Sequence, residues 1–345
     1  MAIQKYEVVI IGAGPAGLKC AEILAKNKKK VLVLEKNKTI GKKVCAGGLT
    51  IKDFDLGIPD KIIQKKFKSV IIHTPLQDTE IKLEHPFIAT LDREDLGKWM
   101  EKEAINAGAE VRKNTNVTEI KDKFIIVDGG EKIEFSSLVG ADGGNSIVRK
   151  HLNIKTEKFL QAFQYLTPKK FKRLEFFLDP QKFGHYIWIF PHKNFTSIGT
   201  GGDFIKGSKK IGLNFTMPEI REHFDKWCKK KFDIKKCRFE ASIINYDYRG
   251  YKFRNKFLIG DAGGFASGLT GEGIYFAIKS GEDVAQKIIH KNYRCSNIKH
   301  ILKIKKLEEK LLRSFESGRK FAEVEFELLN LLAKMKFVDK EAIKL

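Results

Sequence analysis

The 345-residue sequence predicts an α/β fold with an inserted antiparallel β-rich lobe and a C-terminal helical segment. Three observations support this prediction. The chain opens with a strand, a glycine-rich turn, a helix and a second strand. Two later strands each run into a glycine turn. Between positions 159 and 249 aromatic residues alternate with polar ones, which is typical of antiparallel strands.

The opening segment has the order of a Rossmann-like βαβ unit. An apolar strand at 6–11 is followed by Gly-Ala-Gly-Pro-Ala-Gly at 12–17, a helix at 18–26 and a strand at 31–35. The first glycine permits a tight turn, the second lets the backbone approach a pyrophosphate, and the third allows close packing of helix and strand. Glu35 ends the second strand, where it would accept hydrogen bonds from a ribose. The unit therefore predicts a dinucleotide site.

A second organised region begins with a strand at 88–93 and a helix at 94–107, which Gly108 ends. Short strands are expected around 110–111 and at 117–120, 124–127 and 133–135. A further strand starts at 138 and runs into the turn Ala141-Asp142-Gly143.

The predicted lobe contains strands at 174–178, 184–191 and 196–201 and a helix at 217–231, and the stretch 70–88 has a similar pattern. We therefore assign the lobe to residues 70–88 and 156–250. The nucleotide-binding domain is assigned to residues 1–69, 89–155 and 251–290, and a helical segment to 291–345.

The third nucleotide segment is a strand at 256–259 that enters the Gly260-Asp261 turn and a glycine-rich loop. A helix follows from about Tyr275, so its N-terminus would face an anion. Residues 298–337 are helical, lysine-rich and amphipathic in pattern. Docking of this segment on the main domain is favoured, and contact with a membrane surface is the alternative.

Composition limits the classes of function. The formal charge of +22 comes from lysines spread along the whole chain, and no helix-turn-helix, zinc-finger or RNA-recognition pattern is present, so we expect no nucleic-acid partner. Attraction to anionic lipid headgroups stays open.

The five cysteines form no C-x-x-C pair, and the eight histidines show no metal-ligand spacing, so no metal site is expected. Without a signal peptide or a long apolar run, we expect a cytoplasmic protein; peripheral attachment to the inner face of the membrane stays open.

Together the separated motifs resemble the FAD-dependent oxidoreductases of the para-hydroxybenzoate hydroxylase fold, over about residues 1–290. In that fold Asp261 would contact the ribityl or pyrophosphate region, and the turn at 271–274 would direct backbone N–H groups to the isoalloxazine carbonyls. The resemblance implies an FAD site made of Gly12, Gly14, Ala16, Gly17, Glu35, Lys36, Cys45, Ala46, Gly48, Arg93, Val117, Asp261, Gly271, Gly273 and Ile274.

Two features are similar to the geranylgeranyl reductase family within this fold. One is the C-x-G-G loop Cys45-Ala46-Gly47-Gly48, and the other is the Y-x-W-x-F-P sequence at 186–191. The resemblance implies that the loop lies beside the flavin and that Tyr186, Trp188 and Phe190 contact an isoprenoid. A buried core cysteine and ordinary sheet core are the alternatives. The chain departs from the family at Gly268, where many relatives carry proline, and in its shorter C-terminal region.

The resulting hypothesis is an FAD-dependent reductase of C=C bonds in a prenyl lipid, with Cys45 as proton donor or as pocket wall. A flavin monooxygenase or halogenase is the alternative, although Tyr186 and Phe190 replace residues of the halogenase W-x-W-x-I-P motif. A non-enzymatic flavoprotein is the third. Since no second G-x-G-x-x-G unit is present, NADPH and a ferredoxin-like carrier both remain as electron donors. The sequence predicts no oligomeric state.

Overall fold

The computed structural model describes residues 4–179, 186–205, 216–315 and Glu327, without the side chains of 203–205 and 313–315. The predicted strand at 184–191 and the predicted helical stretch to 337 therefore lie partly outside the described residues. The described helices are α1 (Pro15–Lys26), α2 (Arg93–Asn106), α3 (Ile147–His151), α4 (Met217–Lys229), α5 (Ile274–Ile289) and α6 (Ser296–Phe315).

The strands of the described residues form three sheets. In chain order they are β1 (Gln4–Ile11), β2 (Val31–Leu34), β3 (Gly48–Thr50), β4 (Ile63–Phe67), β5 (Ser69–His73), β6 (Asp78–Lys82), β7 (Ile88–Leu91), β8 (Glu110–Arg112), β9 (Val117–Ile120), β10 (Phe124–Val127), β11 (Lys132–Gly140), β12 (Lys158–Thr167), β13 (Glu175–Phe177), β14 (Ile187–Pro191), β15 (Thr196–Ile205), β16 (Arg238–Asn245), β17 (Lys252–Phe253) and β18 (Lys256–Leu258).

The chain divides into two compact units. The first contains residues 4–42, 94–159 and 244–306, and the second contains 43–93, the described part of 160–243 and the described residues from 307 onward. The structure thus places 43–69 and 89–93 with the lobe rather than with the nucleotide-binding part. These residues form the separate three-stranded sheet β3-β7-β4, which hydrogen bonds connect to the lobe: the Thr90 hydroxyl donates to the Pro191 carbonyl at 2.9 Å, and the Gln164 amide donates to the Cys45 carbonyl at 3.3 Å.

The first unit is built on a sheet of order β17-β18-β11-β1-β2-β8, with β10 and β9 attached to β11. Strand β1 pairs in parallel with both β11 and β2. The last four residues of β1 and all four of β2 are apolar and buried, as expected for strands covered on both faces. Strand β11 is longer than predicted, because pairing with β1 carries it through the polar residues Ser136 and Ser137.

Helices α1 and α5 of this unit approach closely at small residues. A Cβ added at Gly281 of α5 would overlap the carbonyl oxygen of Ala16, and one at Gly260 would lie 3.1 Å from the Ala16 Cβ. The close crossing holds the start of α1 against the loop that follows β18. The first part of α6 also packs into this unit, with Ile298 and Ile301 buried.

The second unit contains a seven-stranded sheet of order β16-β12-β15-β14-β13-β5-β6, and its two faces are covered differently. Ile187 and Ile189 of β14 point to the face covered by α4, where they pack with Phe224. Trp188 and Phe190 point to the other face and join a separate apolar cluster. The predicted alternation along this strand is therefore present.

Among the described residues, no helix combines the length and the apolar character needed to cross a membrane.

Candidate functional site

The three glycines of the first turn differ in why they must be glycine. Gly12 has φ +103°, and a Cβ there would lie 2.9 Å from the Asp142 Cα. A Cβ at Gly17 would overlap the Gly12 carbonyl oxygen. Gly14 caps α1 with φ −74° and ψ 176°, and the nearest atom to its added Cβ is the Ala141 oxygen at 3.9 Å. Contacts within the protein therefore require glycine at positions 12 and 17. At position 14 the protein leaves space that a side chain could occupy.

Glu35 follows β2 and is tied to the glycine turn. One carboxylate oxygen accepts from the Ala13 N–H at 3.0 Å, and the other accepts from the backbone N–H and side-chain amide of Asn37 at 2.9 and 2.6 Å. A carboxylate has about four lone-pair sites, so capacity remains for a ribose hydroxyl. The side chain thus lies beside the glycine turn at residues 12–17.

The Gly260-Asp261 turn lies close to the glycine turn at residues 12–17. Asp261 is 9% exposed, and its carbonyl accepts from the side-chain amide of Asn245 at 2.8 Å. A Cβ added at Gly273, which caps α5, would lie 3.5 Å from the Asp261 carboxylate. Because Gly260 also approaches Ala16, the structure brings the predicted residues at 12–17, 261 and 273 together within the first unit.

The loop between the turn and α5 is shaped by its own side chains. The Ser267 hydroxyl accepts from the Thr270 N–H at 2.9 Å, and the Ser267 N–H donates to the Glu272 carbonyl at 2.9 Å. Gly271 has φ +71°. Helix α5 then starts at Ile274 without an acidic residue in its first turn, and α1 likewise has none. Neither helix therefore has a carboxylate of its own first turn competing for its N-terminal N–H groups.

Two further sequence-predicted residues have other surroundings. The Val117 side chain packs in the apolar core, so only its backbone is available to a ligand. Lys36 is exposed. Asp142, from the second glycine turn, accepts from the N–H of Ile147, the first residue of α3, at 2.6 Å; burial raises the pKa of its carboxyl.

Arg93, in the second unit, carries unmet hydrogen-bond capacity. Its Nε and Nη1 atoms are buried and have no partner among the described residues. Leaving buried donors unpaired costs about 1–3 kcal/mol, so an acceptor is expected there. Within the first unit, the open space at Gly14 and the N-termini of α1 and α5, whose first turns carry no acidic residue, fit an anionic dinucleotide such as FAD.

The cysteine loop, residues 45–48, is held in place by its backbone. Three consecutive carbonyls each accept one hydrogen bond from a different element: Cys45 from the Gln164 amide at 3.3 Å, Ala46 from the His192 Nε2 at 2.9 Å, and Gly47 from the Leu91 N–H at 2.9 Å. The half-buried Cys45 sulfur accepts from the Gly47 N–H at 3.3 Å. The loop is therefore fixed, and its thiol is the group left for chemistry.

The aromatic strand β14 lies against this loop. A Cβ added at Gly48 would overlap the Phe190 ring, and Ala46 belongs to the same apolar cluster as Trp188 and Phe190. These two rings are each 9% exposed, whereas Tyr186 is half-buried. The structure therefore brings together the two motifs that were similar to the geranylgeranyl reductases.

His192 is a residue that sequence reasoning missed. It is 2% exposed, stacks on Phe195 at 4.3 Å and contacts the Ala46 carbonyl. Since a carbonyl only accepts, Nε2 carries the proton, and Nδ1 is buried without a partner among the described residues. Burial lowers the pKa of His192 to about 4, so the ring is neutral near pH 7. The only sequence signal was its place directly after Pro191.

This buried histidine predicts a pH dependence of stability. The unfolded chain takes up the proton at its ordinary pKa of about 6.5, while the folded protein takes it up only near pH 4. The contribution of His192 is thus fully present above about pH 6.5 and is lost as the pH falls toward 4. The lost free energy of unfolding is on the order of 3 kcal/mol.

Urea unfolding at about pH 7 and about pH 4.5 checks this, with the His192→Gln variant as reference. The wild type should lose about 2 kcal/mol more than the variant across the window. His73→Gln is the control, because Glu175 and Asp78 raise the pKa of His73 and its contribution is lost at the alkaline side. Parallel losses in wild type and His192→Gln would contradict the assignment.

Comparison with known proteins agrees with this site. A family model described as the FAD binding domain matches residues 5–293. Geranylgeranyl diphosphate reductase of Rhodobacter capsulatus is 29% identical over 305 residues, which are 82% of this chain and 75% of that protein. Digeranylgeranylglycerophospholipid reductase of Methanocaldococcus jannaschii is 26% identical over 311 residues, 83% of this chain and 78% of that protein.

Among solved structures, a geranylgeranyl bacteriochlorophyll reductase-like protein from Thermoplasma acidophilum has the same fold. Its TM-score is 0.77 at 21% identity, and the match covers 99% of this chain and 95% of that protein. The family model spans most of the sequence, and its description agrees with the cofactor class that the glycine turns indicate. The chain is similar to geranylgeranyl reductases at 26–29% identity, and it belongs to the family whose model is described as the FAD binding domain.

Proposed function

We propose that this protein reduces C=C bonds of an isoprenoid lipid of the geranylgeranyl type. The observation that carries the proposal is the fixed cysteine loop packed against the aromatic strand β14. A loop held at three consecutive carbonyls presents its thiol in one orientation, which proton transfer to a defined carbon requires. The names of the relatives support the same substrate class.

The residues of the first unit would hold FAD. The N-termini of α1 and α5 would donate N–H groups to its pyrophosphate and ring carbonyls, Glu35 would accept from its ribose, and Asp261 would accept from its ribityl region. When bound and reduced, FAD supplies a hydride. The chain's own residues must then orient the alkene and deliver a proton.

Cys45 is the proposed proton donor. Reduction replaces the π bond by two C–H bonds: one alkene carbon receives the hydride, and its neighbour receives the proton of the thiol. The Gly47 N–H, 3.3 Å from the sulfur, would stabilise the thiolate that remains. Water then returns a proton to the sulfur. We further propose that Cys45, Ala46, Gly48 and Arg93 face the flavin.

Tyr186, Trp188 and Phe190 are proposed to form the apolar wall for the isoprenoid. They lie in one cluster with Phe176, whose ring centroid is 5.4 Å from those of both Tyr186 and Phe190. A wall of rings without charged groups suits a hydrocarbon chain, because it gains contact area without burying unpaired polar atoms.

The Cys45→Ala variant tests the proton-donor role. With dithionite-reduced, FAD-loaded protein and geranylgeranyl diphosphate under anaerobic conditions, we expect saturation of double bonds, followed by mass spectrometry. Turnover by Cys45→Ala should fall by about 10²-fold or more, the usual contribution of a positioned acid, with FAD content unchanged. Cys237→Ala removes another half-buried thiol of the same unit and should retain full turnover.

Full turnover by Cys45→Ala would contradict the catalytic role, and absence of prenyl reduction by the wild type would contradict the function itself. Peroxide release that an aromatic substrate stimulates in air would instead indicate a monooxygenase or halogenase. Stopped-flow reduction with NADPH and with a reduced ferredoxin decides the electron donor.

A further inference from the structure

A polar chain inside the second unit connects the aromatic strand to the cysteine loop. The Trp188 indole N–H donates to the Ser197 hydroxyl at 3.0 Å, and that hydroxyl donates to the Gln164 carbonyl oxygen at 2.9 Å. The Gln164 amide nitrogen donates to the Cys45 carbonyl at 3.3 Å and to the Glu240 carboxylate at 2.7 Å. The chain thus runs from β14 through β15 and β12 to the loop.

The order of donors and acceptors in this series of hydrogen bonds is fixed by the groups at its two ends. An indole N–H can only donate, so the Ser197 oxygen accepts from it and has its single proton free for the Gln164 oxygen. At the other end, the Cys45 carbonyl and the Glu240 carboxylate can only accept. The amide of Gln164 therefore has both N–H groups engaged and its oxygen toward Ser197, and rotating it would set that oxygen against the Cys45 carbonyl and the Glu240 carboxylate and break both bonds.

Because these polar groups are buried, breaking their hydrogen bonds costs free energy. Gln164 is 1% exposed and Ser197 is fully buried. A polar group left unpaired at such a depth loses its hydrogen bond without gaining one from water. The loop peptide at Cys45 and the indole of Trp188 are therefore held in fixed positions relative to each other.

We infer that Gln164 and Ser197 are positioning residues that fix the Cys45 peptide relative to Trp188. The inference deepens the proposed function, because it assigns control of the Cys45 thiol to residues that need not touch the substrate. The arrangement of the thiol should change when Ser197→Ala removes the acceptor of the Trp188 indole N–H and leaves the ring in place. A purely space-filling indole would not have this effect.

The experiment measures iodoacetamide alkylation of Cys45 in the FAD-loaded protein by peptide mass spectrometry, with Cys237 as internal reference. Gln164→Leu, Ser197→Ala and Trp188→Phe should each raise the Cys45 rate by about tenfold, the shift expected from losing one buried hydrogen bond. Thr200→Val is the matched control, since the Thr200 hydroxyl donates to the Tyr186 carbonyl and takes no part in the hydrogen bonds between Trp188 and Cys45. Its Cys45 rate should equal that of the wild type.

The outcomes separate the inference from the proposed function, because alkylation needs no substrate. Unchanged rates in Ser197→Ala and Trp188→Phe overturn the inference, and so does an equal rise in Thr200→Val. Ser197→Ala removes one oxygen only and keeps the test available if Gln164→Leu does not fold. If prenyl reduction is observed, Ser197→Ala should lower kcat roughly tenfold with little change in KM. A selective rise in KM would overturn the positioning role.

Discussion

Alanine at position 14 is expected to weaken FAD binding by at least about 100-fold while leaving the fold intact. The backbone at Gly14, φ −74° and ψ 176°, is accessible to alanine, and the nearest atom to the new methyl is 3.9 Å away. The protein itself therefore tolerates the substitution, with a change in unfolding free energy of no more than about 1 kcal/mol. The methyl would occupy the space before the N-terminus of α1, where the pyrophosphate must approach.

Fluorescence titration of the apo-protein with FAD, together with urea unfolding, checks this prediction. Gly17→Ala is the contrasting variant, because its methyl would overlap the Gly12 carbonyl oxygen. That variant should lose about 3 kcal/mol or more of unfolding free energy before any ligand is added. If Gly14→Ala bound FAD as tightly as the wild type, the assignment of this turn to the pyrophosphate would be wrong.

The second large effect concerns Gly199 of β15. A Cβ there would overlap the Trp188 ring and lie 2.6 Å from the Phe163 carbonyl oxygen. Gly199→Ala must therefore displace the indole, and with it the hydrogen bond to Ser197, from the core of the second unit. We expect a loss of about 3 kcal/mol or more in unfolding free energy.

Gly202→Ala on the same strand is the matched control. Its Cβ would meet the Ile220 Cδ1 at 2.8 Å and the Met217 Sδ at 3.2 Å, which are ends of flexible side chains. Its cost should stay below about 1.5 kcal/mol in the same urea experiment. Adding Trp188→Phe to Gly199→Ala should restore part of the lost stability, since the smaller ring vacates the overlapped space. Strictly additive losses would show that the indole is not the obstacle.

The nucleotide-binding part could be predicted from sequence because its determinants are local. The fingerprint, the helix and Glu35 fall within one short segment, and each glycine has a function that depends on its immediate neighbours. The predicted strands at 117–120 and 124–127 agree with β9 and β10 for the same reason. Burial on both faces gave β1 and β2 an apolar run that is readable without knowledge of their partners.

Other features depended on partners far along the chain. Residues 43–69 contain no signal that separates them from the nucleotide-binding part. They join the second unit through the pairing of β3 and β4 with β7 and through hydrogen bonds to Gln164 and His192. Gln164 and Ser197 stand in strands where a polar residue ordinarily faces solvent. Their burial follows from acceptors and donors on other strands, and the Gln164 contact to Cys45 spans 119 positions.

The sequence by itself thus determined the cofactor class, the family and the two motifs that meet in the second unit. Short-range spacing carries that information, since turns, caps and strand alternation are set by neighbouring residues. Only the tertiary structure decided how Cys45 is held. Gln164, His192 and Leu91 converge on three consecutive carbonyls, and such backbone acceptors are identical at every position of a sequence. Which carbonyl meets which donor is set by strand order and packing, and no local pattern encodes it.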